Sequence, residues 1–219
     1  YEFGYWKKSA IGHGISPYLN RFVKFVASEV VKDDQPKNKF MSILEIIASK
    51  HPETWLDIGR IYYENGTSES MKFATYAFEK YLQNENVQQE KIAWIMLAKI
   101  HKQLGDVLGE INALVPLSTY PNIEFYHISN NVNRFNSLLK NHPEVLDNFQ
   151  RREFAKALSE AMERGRKEAN ATDLSRLAWL YIHLGEHDTA ESTAKDGLIM
   201  DGDNEFCKRL LNIPKVNAT

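Results

Sequence analysis

Between Asp173 and Asn204 the chain reads DLSRLAWLYIHLGEHDTAESTAKDGLIMDGDN, a pattern that leaves few folds open. Leu174, Leu177, Ala178 and Tyr181 fall on one face of a helix, and Gly185 marks its stop. Ala190, Ala194 and Gly197 follow at steps of four and three, so a second helix presents small residues where its partner must approach closely. Large, small, aromatic, glycine, then small again: this order describes two helices packed against each other across a tight turn.

The same offsets recur upstream. In PETWLDIGRIYYENG they are taken by Trp55, Ile58, Gly59, Tyr62 and Gly66, and further on by Trp94, Leu97, Ala98, His101 and Gly105. These three units resemble the tetratricopeptide repeat, in which such residues interlock antiparallel helix pairs. The resemblance implies an all-α fold, a right-handed α-solenoid of about five helical hairpins plus a C-terminal capping helix. The units span about 52–84, 90–121 and 171–204. Divergent hairpins at 16–50 and 122–169 and a cap at 205–213 complete the stack, and residues 1–15 read as a linker or the tail of a preceding domain.

Departures from the pattern carry their own expectations. Ser16-Pro17 looks like a cap and first turn of a helix reaching about Lys32, with Leu19, Phe22, Val23, Val26 and Val30 as its buried stripe. Phe40, Ile43, Leu44 and Ile47 repeat that pattern in the next helix. Thr67-Ser68-Glu69-Ser70 is an insertion whose hydroxyls can cap the helix carrying Ala74, Phe78 and Tyr81. Glu110 stands where a small residue belongs, and Pro116 should kink or end its helix. The divergent hairpin carries Phe125, Ile128, Val132, Phe135, Leu138 and Leu139, then Leu146, Phe149, Phe154, Leu158, Ala161 and Met162. Phe206, Leu210 and Leu211 suit the cap, and Val216 to Thr219 reads as a frayed tail.

Composition narrows the partners. A formal charge of −2 gives no net pull towards nucleic acid or an anionic membrane. No apolar run approaches the ~18 residues of a membrane helix. With Cys207 as the single cysteine, no disulfide forms within the chain, which fits a reducing, cytoplasmic setting; sequons at Asn65, Asn170 and Asn217 point weakly the other way. The chain begins at Tyr1, not Met, and is expected to be part of a larger polypeptide with upstream domains. Phe3, Tyr5 and Trp6 would form an apolar patch if exposed, so they are expected to pack on the first helices or on a neighbour.

Catalytic and metal signatures are weak. His183 and His187 are separated by Gly185, Gly12-His13-Gly14 lacks the lysine of a phosphate loop, and Asp201, Asp203 and Glu205 lack the glycine and closing carboxylate of a calcium loop. Neither a cofactor nor a metal is expected, and the chain does not read as an enzyme. The resemblance implies instead a concave groove lined by first-helix positions not used in packing: Leu56, Asp57, Arg60, Tyr63 and Glu64; Ile95, Met96, Lys99, Lys102 and Gln103; Ser175, Arg176, Trp179, Ile182 and His183. Arg60, Lys99 and Trp179 share one register, which suits an acidic protein or peptide partner with an apolar anchor. The competing reading is a ligand-sensing or autoinhibitory C-terminal domain of a larger signalling or defence nucleoside-triphosphatase.

Overall fold

The structure is a computed structural model that describes Arg21, Phe22 and Phe25, residues 37–84 and residues 90–212. Every regular element among these residues is helical. In order they are α1 (Lys37–Lys50), α2 (Thr54–Asn65), α3 (Ser68–Leu82), α4 (Glu90–Leu104), α5 (Val107–Thr119), α6 (Phe125–Asn141), α7 (Asn148–Arg164), a single 3-10 turn (Arg166–Glu168), α8 (Ala171–Leu184), α9 (His187–Met200) and α10 (Glu205–Leu211). The chain divides into two compact units, Tyr1–Asp106 and Val107–Thr219. The N-terminal aromatic segment, most of the helix expected from Ser16 and the tail from Val216 lie outside the described residues.

The three turn glycines end their helices as the spacing demands. Gly66, Gly105 and Gly185 have φ of 73°, 69° and 81°, the left-handed conformation that closes a helix and that a Cβ penalises. Helix starts are secured by side chains. Thr67 accepts from the Ser70 backbone N–H at 3.1 Å, so the inserted hydroxyls do cap α3. Asp147 with Gln150 and Asn170 with Asp173 form reciprocal capping boxes on α7 and α8, and Asn204 caps α10.

In the first unit α2 and α3 form an antiparallel hairpin. A Cβ built on Gly59 would stand 2.7 Å from the Phe78 ring, so the glycine is what lets that buried phenyl seat against α2. Tyr62 stacks on Phe73 with centroids 5.4 Å apart, and the Trp55 ring meets Tyr76 edge-on at 5.7 Å. α1 packs on α2, and α4 on α3.

In the second unit each helix from α5 to α9 packs on the next, and α5, α6 and α8 also pack on the next but one. α6 and α7 are antiparallel, with Gly165 at the end of α7 lying against the Phe125 ring at the start of α6. α6 and α8 run parallel, because Ser129 meets Asp173 near their starts while Phe135 meets His183 further along. α10 also begins beside the start of α8, where Asn204 Nδ2 donates to Thr172 Oγ1 at 3.2 Å. Ala178, Ala190, Ala194, Cys207 and Leu210 close one core cluster, so small residues on α8 and α9 meet as their spacing implied.

Several expectations need correction. Glu110 is buried, 3% exposed, and receives two hydrogen bonds from Arg134 at 2.7 and 2.8 Å; a carboxylate occupies a small-residue site because α6 supplies a fork-shaped cation to neutralise it. Pro116 lies inside α5 without ending it; having no N–H, it cannot donate to the carbonyl of Asn112, an exposed residue. Phe149, expected in the buried stripe, is 73% exposed, in the first turn of α7 ahead of its buried residues Ala155, Leu158, Ala161 and Met162. Phe22 and Phe206 are also exposed; on α10 the core contacts come from Cys207 and Leu210. Trp94 is only half-buried, unlike Trp55 and Leu174.

Candidate functional site

The residues singled out from the sequence fall on both units. On α2, Arg60 and Tyr63 are half-buried, and an Arg60 guanidinium nitrogen lies 3.7 Å from Asp57 Oδ1 one turn earlier. Lys99, Lys102 and Gln103 are exposed on α4. His101, between them, is held by Asp106 Oδ2, 2.9 Å from its Nδ1 at the end of the helix. Leu56 and Ser175, also assigned to the groove, are buried. Both positions lie on the edge of the first-helix face that neighbouring helices cover.

Arg176, Trp179 and His183 lie on α8 at steps of three and four, hence on one face. They differ sharply in what they can offer. Arg176 is committed inward: it donates to Ser129 Oγ at 2.8 Å and to Asp173 Oδ1 at 3.1 Å, and Ser129 donates to the same carboxylate. This network joins α6 to α8 and leaves no free charge. Trp179 stays 39% exposed. His183 supports it, its ring 6.4 Å from the indole and edge-on to buried Phe135 at 6.1 Å. Burial, helped by the Arg151 cation, pushes the His183 pKa down to about 4, so the imidazole is neutral at physiological pH. An indole held by a neutral ring over a packed phenyl is a rigid aromatic surface.

Beside it runs a feature the repeat pattern did not flag. α6 contains five asparagines, Asn130, Asn131, Asn133, Asn136 and Asn141, in seventeen residues. Asparagine is a poor helix former, about 0.6 kcal/mol worse than alanine per site, so this density is costly. Asn136 Nδ2 donates to the Arg176 carbonyl at 3.1 Å. Buried side-chain atoms without a partner, among the described residues, are Asn131 Nδ2, Asn136 Oδ1, Arg151 Nε, Arg176 Nε and His183 Nε2. All five belong to α6, α7 and α8. Each such atom costs about 1–3 kcal/mol unless something meets it. The asparagine count was legible in the sequence; the pairing of α6 with α8 that gives it meaning was not.

Other polar groups are structural. Tyr181 donates to Glu163 Oε1 at 2.8 Å, and Arg166 bridges Glu163 and Asp196 at 2.6 and 2.8 Å, tying α7, α8 and α9 together. Burial and the Glu163 carboxylate push the Tyr181 phenol well above its usual range. The Cys207 thiol, buried and pointing at the Ala171 carbonyl, is likewise pushed up, which makes it a core group. A cleft of about 370 Å³ opens between the end of α5 and the end of α7, lined by Tyr120, Pro121, Asn122, Phe125, Arg164 and Glu168 among others. No group of three His, Cys, Asp or Glu among the described residues is arranged to hold a metal, and no described helix is long and apolar enough to cross a membrane. No known protein family, curated protein or solved structure matches the chain.

Proposed function

We propose that the chain is a protein-interaction scaffold built from stacked tetratricopeptide-like hairpins, which binds a partner protein or peptide on the solvent face of its first-position helices. The repeated left-handed glycines and the alternating parallel packing of α6, α8 and α10 support the stacking. The exposed Trp179, braced by His183 and Phe135, is the observation that carries the binding role, because a large aromatic fixed in place loses little entropy when a partner covers it. Exposed Lys99 and Lys102, with Arg60, all in the first unit, favour an acidic partner; the apolar anchor is read separately, from Trp179 in the second unit. No catalytic group or cofactor is assigned. The unpaired, buried Cys207 fits a cytoplasmic setting.

The test is affinity capture of an interacting protein by the chain and its variants. Trp179→Ala is expected to weaken capture at least about tenfold, and Arg60→Glu with Lys99→Glu to weaken it further, with unchanged helical circular dichroism. Capture indifferent to both sets of changes would remove this reading.

A further inference from the structure

We infer that the cleft between the end of α5 and the end of α7 takes a free α-amino acid with an apolar side chain, its carboxylate on Arg164 and its ammonium on Glu168. The inference goes beyond the interaction reading and uses none of the residues on which that reading rests.

The cleft is built by local features of the chain. Tyr120, Pro121 and Asn122 carry it from α5 to α6 through a tight turn, in which Asn122 takes the left-handed conformation at φ 58°. α7 stops at Gly165, where an added Cβ would collide with the Phe125 ring. Buried Phe125 and Ile128 give the cleft an apolar floor, and exposed Arg164 and Glu168 stand at its rim.

The two rim charges have opposite signs and do not meet. Four residues apart on one continuous helix, an arginine and a glutamate would lie side by side. Here α7 ends at Arg164, the chain turns at Gly165 into the 3-10 segment, and Arg166 takes Glu163 and Asp196. The side chains of Arg164 and Glu168 make no ion pair or hydrogen bond among the described residues. A cation and an anion that line one cleft without neutralising each other complement a ligand carrying both signs. The guanidinium donates to a carboxylate, and the carboxylate of Glu168 accepts from an ammonium. A simple acid would leave Glu168 unmatched, and a simple amine would leave Arg164 so. At about 370 Å³ the cleft lies near the small end of ligand sites, which run about 300–1,000 Å³ and so suits a molecule of amino-acid size. The apolar floor then selects an aliphatic or aromatic side chain.

Isothermal titration of the whole chain at pH 7 with L-leucine, L-isoleucine, L-methionine and L-phenylalanine should show saturable one-site binding in the millimolar range. N-acetyl-L-leucine, which lacks the ammonium, and L-leucinamide, which lacks the carboxylate, should each bind roughly tenfold more weakly than leucine. Arg164→Gln and Glu168→Gln, both at exposed positions, should each weaken leucine binding by a similar factor with unchanged circular dichroism. Lys167→Gln removes an exposed cation that does not line the cleft and should leave binding as it was. No saturable binding by any of the four amino acids would overturn the assignment. Equal binding of the acetylated or amidated form would overturn it too, since one charge would then suffice. A loss at Lys167→Gln matching that at Arg164→Gln would reduce the effect to surface charge, with the same consequence.

Discussion

The α2–α3 and α8–α9 hairpins take the same residue offsets and fill their interiors in opposite ways. In the first, Gly59 vanishes so that a whole phenyl, Phe78, can sit against the helix. In the second, Ala178 faces Ala190 and Ala194, and the volume is made up from outside the pair by Cys207 and Leu210 of α10. Gly197 shows the same dependence, since a Cβ there would stand 2.6 Å from the Cys207 sulfur. The offsets therefore specify a distance between helix axes, and the sum of side-chain volumes can be met from within the hairpin or by the next helix. A self-filled hairpin should be locally autonomous, whereas a borrowed core should fail when its lender does.

The largest effect should follow from emptying the self-filled core. Phe78→Ala is expected to cost about 3–5 kcal/mol in urea unfolding, with the loss confined to the first unit in hydrogen exchange. Leu210→Ala should cost less, about 2–3 kcal/mol, yet reduce the protection of α8 and α9 as well as α10. Protection lost in α10 alone would break the contrast.

The second hairpin also differs in carrying a buried histidine. The folded His183 pKa of about 4 lies below its ordinary value, so the unfolded chain takes the proton more readily. Its contribution to stability is present above pH ~6.5 and disappears as the pH falls towards 4, a change of about 3 kcal/mol. The difference in unfolding free energy between the native chain and His183→Phe, followed from pH 7 to 4, should show this slope. A pH-independent difference would mean the imidazole titrates freely.

The smallest expected effect is one the two hairpins should share. Gly66→Ala and Gly185→Ala should each cost about 1 kcal/mol, from backbone conformation alone, because an added Cβ meets nothing within 4 Å at Gly66 and only the Arg152 side chain at 3.9 Å at Gly185. Unequal losses would show that the two turns are not equivalent.

These contrasts explain how far the sequence could be read. Turn glycines, capping hydroxyls and the small residue opposite Phe78 are local signals, fixed by spacing within about forty residues, and each was visible. Glu110 looked like a misfit because its partner Arg134 lies on a later helix with no repeat offset to announce it. Arg176 looked free for the same reason: Ser129, which ties it down, sits 47 residues away. Leu56 and Ser175 were assigned to the groove by register alone, which marks a face but not how much of its edge a neighbouring helix covers.

Trp55 and Trp179 condense the functional claim, one indole locked inside a hairpin and the other held at its surface. Fluorine NMR of the fluorotryptophan-labelled chain, recorded with and without a captured partner, reads both at once. The Trp179 resonance should shift on binding while that of Trp55 stays in place. A shift at Trp55 with Trp179 unmoved would contradict recognition through the exposed face of α8.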